Sequence, residues 1–210
     1  MTKRDTTDWI SDIHTNGLDV SNRVIYLTEK EEVSENPGVD YRMLQNFVKN
    51  IKILECQNDN PITIYIQTQG GCWDSGMGIY DMIKMSKCKI NMIGYGQLCS
   101  MGTIIIQAAD KRILMPNCVF MCHYGSTSLT GEYLNAQNYA VIDKNNMNNM
   151  INIYAERCIK GEFFRDRDYS LSKVKSYIKR KMKDGDWYMD SQTALEYGFI
   201  DNIFSRSLKV

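Results

Sequence analysis

Three short runs rich in β-branched and aromatic residues, Arg23-Val24-Ile25-Tyr26-Leu27, Ile62-Thr63-Ile64-Tyr65-Ile66 and Ile90–Tyr95, each lead into a stretch with apolar residues at helical spacing. A period near two that gives way repeatedly to one near 3.6 predicts strands alternating with helices. The helical stretches are Tyr41–Cys56, then Met77, Ile79, Tyr80, Ile83 and Met85, and then the apolar segment Ser100–Ile106, which must be buried. Strands joined by crossover helices pair in parallel, and such sheets carry their active sites at the carboxyl ends of the strands. Ser100 falls at such an end, after the turn expected at Gly94-Tyr95-Gly96-Gln97-Leu98. Ile113–Met115 and Val119–Cys122 add short strands, and Thr193–Phe204 a closing helix and strand. The expected fold class is α/β.

The chain has 210 residues, 43% of them apolar, enough for one sizeable core and one domain. The domain is expected over residues 23–204, preceded by a polar arm (1–22) without sustained periodicity and followed by a tail (205–210). A long helical stretch, Thr130–Arg157, has a polar middle with Met147 and Met150 three residues apart. It reads as a helix (130–158) able to project from the body, with the methionine pair serving packing. A basic segment, 161–183, contains a second amphipathic helix from Leu171 to Met182.

Twenty-five basic and 25 acidic residues cancel, so no long-range field draws the chain to nucleic acid or an anionic membrane. The first residues are not followed by an apolar run of roughly 7–15 residues, so neither a secretory signal nor a membrane span is readable. Seven cysteines, an odd set without a C-x-x-C pair and partly in apolar stretches, fit a reducing compartment, and the cytoplasm is the expected location.

Only two histidines are present, His14 in the arm and His123 at the end of the strand Val119-Phe120-Met121-Cys122. Imidazole general-base chemistry therefore points to His123. A serine hydroxyl is a poor nucleophile at neutral pH and needs a base, an acid to orient that base, and donors for the oxyanion. Ser100, opening a helix after a strand, suits the nucleophile, with the Met101 amide as one donor. Gly70-Gly71, where no side chain obstructs the backbone, suits the second. Each feature also has an ordinary reading. A glycine pair is a turn, a serine opening a helix is an N-cap, a histidine at a strand end is a hydrogen-bonded polar group, and Asp186 is a loop acid or a cap.

Order and spacing carry more than any single feature. Tyr65-Ile66-Gln67-Thr68-Gln69-Gly70-Gly71 with Gly78-Ile79-Tyr80-Asp81, then Gly96-Gln97-Leu98-Cys99-Ser100-Met101-Gly102, then Lys111–Asn117 with Met121-Cys122-His123, and finally Asp186-Trp187-Tyr188-Met189 with Ala194–Asp201, are collinear blocks. They resemble the Clp protease proteolytic subunit family, over about Arg23 to Phe204. Carried over position by position, the resemblance implies a triad of Ser100, His123 and Asp186, with the Gly71 and Met101 amides as oxyanion donors. Asp184, two residues from Asp186, is the rival third member, although Asp186 keeps the spacing to Glu196-Tyr197-Gly198. The departures lie close to these positions. Gln69 stands where the family usually has proline, Cys99 where it has a small alanine, and Tyr124-Gly125 where it has Gln-Pro, and the chain is longer than expected around 161–183. A bacterial virus genome would accommodate so divergent a chain.

The resemblance further implies a Clp protease/crotonase-like fold of repeated β-β-α units, with 130–158 as a handle helix that interdigitates between stacked rings of a homo-oligomer. It implies unfolded polypeptides as substrates and an AAA+ unfoldase as partner. No cofactor is expected in this subunit, ATP being used by the unfoldase. Two other readings compete, a catalytically weak assembly subunit and a crotonase-type acyl-CoA enzyme. The intact Ser, His and Asp argue against the first, and a Ser–His pair has no necessary role in the second.

Overall fold

A computed structural model of the chain describes residues 6–28, 38–126 and 132–208. The strands are β1 (Leu18–Asp19), β2 (Val24–Thr28), β3 (Ile62–Thr68), β4 (Ile90–Cys99), β5 (Lys111–Leu114), β6 (Val119–Cys122), β7 (Trp187–Met189) and β8 (Asn202–Ile203). The helices are α1 (Thr6–Asn16), α2 (Tyr41–Gln57), α3 (Trp73–Lys84), α4 (Met101–Ile105), α5 (Tyr133–Cys158), α6 (Glu162–Arg165), α7 (Leu171–Lys183) and α8 (Ser191–Glu196). The sheet runs β1-β2-β3-β4-β5-β8, with β6 paired to β4 and β7 paired to β6. Pairings from β2 to β5, and those of β4 with β6 and β5 with β8, are parallel.

Burial explains the strand composition. Along β3, Ile62, Ile64, Ile66 and Thr68 are fully buried and alternate with partly buried residues, the pattern of a strand with a helix-covered face. Asp40 starts α2 by accepting hydrogen bonds from the Arg42 and Met43 amides, which otherwise lack helical partners.

β4 departs from expectation. The glycines at 94 and 96 do not turn the chain; the strand runs through them to Cys99, with a register irregularity against β3 between Ile66 and Thr68. A Cβ on Gly94 would approach Leu114 Cδ2 to 2.5 Å, so glycine lets the neighbouring leucine close over the strand. Gly96, at φ +61°, takes the bend. The extra length gives β4 two successive neighbours on the same side. Residues 91–94 pair with β5, and residues 97–99 pair with β6.

The N-terminal segment is also more ordered than a polar arm. Its residues 6–16 form α1, and Leu18, buried in the core, pairs with Ile25 across β1 and β2. The polar Asp19 hides this, because it is buried and its carboxylate accepts from Asn22 Nδ2 at 2.7 Å and Trp9 Nε1 at 3.3 Å.

The expected projecting helix is described from Tyr133, its foreseen start at Thr130 lying outside the described residues. Tyr133, Leu134, Tyr139, Val141 and Ile142 are exposed, whereas Met150, Ile151, Tyr154, Ala155 and Cys158 are buried. One end of α5 is therefore anchored in the core and the other presents apolar surface outward. The basic segment becomes α6 and α7. Its Val174, Ile178 and Met182 are buried at helical spacing, and its lysines and arginines face outward or lie at the edge. Aromatic contacts, including Phe164 with Tyr177 at 5.4 Å and Tyr177 with Trp187 at 6.3 Å, tie this segment to β7.

Arg112 fastens β5 to the chain terminus. Its guanidinium is buried, forms an ion pair with Asp201, and donates to Gln107 Oε1 and to the carbonyls of Gly198 and Phe199. Among the described residues, no helix is long and apolar enough to cross a membrane.

Candidate active site

Ser100 follows β4 directly and precedes α4, so it sits at the corner between a strand and a helix. Its backbone is at φ 51°, ψ −120°, a conformation that a side-chain-bearing residue holds only when its surroundings enforce it. The enforcement is visible. The Ser100 amide donates to the Met121 carbonyl at 2.8 Å, and the Ser100 carbonyl accepts from the Thr103 amide at 2.9 Å and the Thr103 hydroxyl at 2.6 Å. Thr103 Oγ1 is in turn 2.6 Å from the hydroxyl of Tyr154, a fully buried residue of α5. Thr103 has spent its single proton on Ser100, so Tyr154 must be the donor. Burial holds the Tyr154 phenol well above its ordinary pKa, which keeps that proton in place.

Backbone pairing brings His123 and Asp186 to the serine. Cys99 pairs with Met121 and Cys122 pairs with Trp187, so the residues just beyond, Ser100, His123 and Asp186, leave the ladder at the same level. His123 Nε2 lies 2.7 Å from Ser100 Oγ, and its Nδ1 lies 3.2 Å from Asp186 Oδ1. A carboxylate can only accept, so Nδ1 carries the proton and Nε2 is free to receive one from Ser100. Asp186, and not Asp184, stands against the imidazole; Asp184 caps α7.

The glycine pair follows β3. A Cβ on Gly70 would lie 2.5 Å from Ser100 Cβ and 3.0 Å from its Oγ, so the corner fits only against a glycine. Gly71 bridges to Val39, whose amide donates to the Gly70 carbonyl while the Cys72 amide donates to the Val39 carbonyl, each at 2.7 Å. This bracing fixes the peptide that carries the Gly71 N–H. Gly71 and Met101 both line the cavity that contains Ser100 and His123, with a volume of about 430 Å³.

The other walls include residues that sequence reasoning assigned elsewhere. Trp73 and Ile104 come from α3 and α4, and Asp143, Asn146, Met147 and Met150 from α5. The methionine pair read as packing thus contributes to the cleft as well. Its signal in the sequence was the i, i+3, i+4, i+7 spacing of residues 143, 146, 147 and 150, one face of a helix, but nothing local says what that face meets. In the core, burial pushes the Cys122 thiol up to about 12 and the Cys118 thiol likewise to about 12, which keeps both protonated at neutral pH. His14 lies in α1 and does not line this cavity. Among the described residues, no cluster of His, Cys, Asp and Glu could hold a metal ion.

The family model for Clp protease matches residues 16–207. The chain is 28% identical over 181 residues to ATP-dependent Clp protease proteolytic subunit 2 of Pseudomonas aeruginosa, covering 85% of this chain and 83% of that protein. It is 29% identical over 185 residues to the ATP-dependent Clp protease proteolytic subunit of Carsonella ruddii, covering 86% and 83% respectively. Among solved structures, a point mutant of ClpP1 from Listeria monocytogenes superposes with a TM-score of 0.71 at 22% identity, over 90% of this chain and 94% of that one.

Proposed function

The chain belongs to the Clp protease family, and from that premise we propose that it is a serine endopeptidase subunit acting on unfolded polypeptides through an acyl-enzyme on Ser100. The observation that carries this reading is the hydrogen-bonded series Ser100 Oγ, His123 Nε2, His123 Nδ1 and Asp186 Oδ1, with separations of 2.7 and 3.2 Å. In the reaction, Ser100 Oγ attacks the scissile carbonyl as its proton passes to His123 Nε2. Asp186 holds the imidazole in the required tautomer and faces the positive charge that forms on it. The amides of Gly71 and Met101 receive the negative charge developing on the substrate oxygen. The imidazolium then gives its proton to the departing amine, and a water molecule, deprotonated by the same nitrogen, releases the acyl group and restores Ser100.

The subunit works in this reading as a homo-oligomer of stacked rings in the cytoplasm, with the active sites enclosed. The exposed apolar residues at the outer end of α5 support the stacking, because such a surface on a helix calls for a partner. The ATP dependence in the relatives' names is assigned here to a separate AAA+ unfoldase that delivers the polypeptide, and the subunit itself needs no cofactor.

The test is labelling of the purified protein by a fluorophosphonate, read by intact mass. One adduct on the wild type, lost in Ser100→Ala and in His123→Ala, is the expected result. A folded oligomer that takes no label would leave the family assignment standing and remove the peptidase activity.

A further inference from the structure

The face of α5 turned toward Ser100 carries a charge. Asp143, Asn146, Met147 and Met150 line the catalytic cavity together, at the spacing that places them side by side along one helix face. Apart from the titratable His123, Asp143 is the only charged group among the described residues lining that cavity. It is half-buried, and among the described residues its carboxylate has neither a hydrogen-bond donor nor a cation beside it. The segment 125–131, whose described part borders the cavity through Gly125 and Ser126, contains no lysine or arginine in its sequence. The six basic residues of α7 do not line the cavity either.

A carboxylate that faces the cleft without a partner among the described residues is available to a cationic group that enters there. The surroundings define what would fit. Met147, Met150 and Ile104 offer apolar walls to an aliphatic stem, and Asp143 with the Asn146 amide oxygen offers acceptors to a cationic head. Lysine and arginine have this form. We infer that Asp143 is a specificity-determining residue of the cleft, selecting peptide substrates with lysine or arginine on the amino side of the scissile bond.

The inference rests on the peptidase reading of Ser100, and the experiment separates the two. Full-length oligomer would be given fluorogenic peptides identical except for Lys, Arg, Leu or Met at that position, with fluorophosphonate labelling of Ser100 measured in parallel. The wild type is expected to cleave the Lys and Arg peptides with kcat/KM about tenfold or more above the Leu peptide. Asp143→Asn should bring kcat/KM for the Lys and Arg peptides down to that of the Leu peptide, and Asp143→Lys should reverse the order of preference. Because residue 143 is half-exposed on a helix, neither variant threatens the fold. A wild type that labels at Ser100 yet prefers Leu or Met, with ratios unmoved by Asp143→Asn, overturns the inference and leaves the peptidase reading intact. Absence of both label and cleavage overturns both.

Discussion

Tyr154 donates its phenolic proton to Thr103 across 2.6 Å, and through that threonine it reaches the carbonyl of Ser100. The contact joins the anchored end of α5 to the backbone of the residue proposed as nucleophile, inside a fully buried environment. Removing the phenolic oxygen leaves Thr103 Oγ1 with only the weak Cys122 Sγ donor at 3.7 Å, so the corner at Ser100 loses one of its restraints. Tyr154→Phe is expected to cost about 1–2 kcal/mol of stability, measured by denaturant titration of the oligomer. It should also slow fluorophosphonate labelling of Ser100 by roughly ten- to a hundredfold, because small misplacements of a reacting atom are expensive. Labelling at the wild-type rate in a destabilised Tyr154→Phe protein would confine the contact to a structural role.

Two aspartates two residues apart give a second, sharper comparison. Asp186 faces His123 Nδ1, whereas Asp184 ends α7. Asp186→Asn keeps the shape but can present an amide donor to Nδ1, favouring the tautomer with its proton on Nε2. Peptide hydrolysis should fall roughly 10³–10⁴-fold. Asp184→Asn should stay within about twofold of wild type. Equal losses in the two variants would mean that the loop can exchange one carboxylate for the other.

Burial opposes ionisation of Asp201, but hydrogen bonds and the charge of Arg112 outweigh it and hold the carboxyl below its ordinary value of 3.8. A lowered folded-state pKa contributes stability that is present above the unfolded value and lost as pH falls through the folded one. The pair should therefore stabilise the protein fully at neutral pH and weaken progressively below about pH 3.8. Asp201→Asn leaves the Arg112 guanidinium buried without its counter-charge. Because Asp201 is about a third exposed, the expected loss at pH 7 is about 2 kcal/mol, below that of a fully buried pair. Thermal melts of both proteins from pH 7 to pH 3 would check this, and the gap between them should narrow at the acid end.

Much of this arrangement could be read from the residues. The strands at Val24–Thr28 and Ile62–Thr68 follow from β-branched alternation, and the scarcity of histidine almost forces the choice of His123. Other parts were illegible for physical reasons. Gly94 and Gly96 suggest a turn, and only the fit against Leu114 shows that the strand continues through them to Cys99. Asp19 gives the N-terminal segment a solvent-like character that its hydrogen bonds to Asn22 and Trp9 contradict. Asp143 and Asn146 look like an ordinary solvated helix face, because the wall they complete comes from β-strand ends and α4, far away in sequence.

The forked edge of β4 has a further consequence. Since β6 is zipped to the last residues of β4 and β7 to β6, the backbone positions of the three polar groups are set by main-chain ladders, with the Thr103–Tyr154 contact as an added restraint at Ser100. A lineage can therefore rewrite its neighbourhood, with Cys99 and Tyr124 beside the reacting atoms, without having to rediscover the distances. What such rewriting alters is the shape and charge of the mould around the peptide, so the scaffold can change its diet while keeping its teeth aligned.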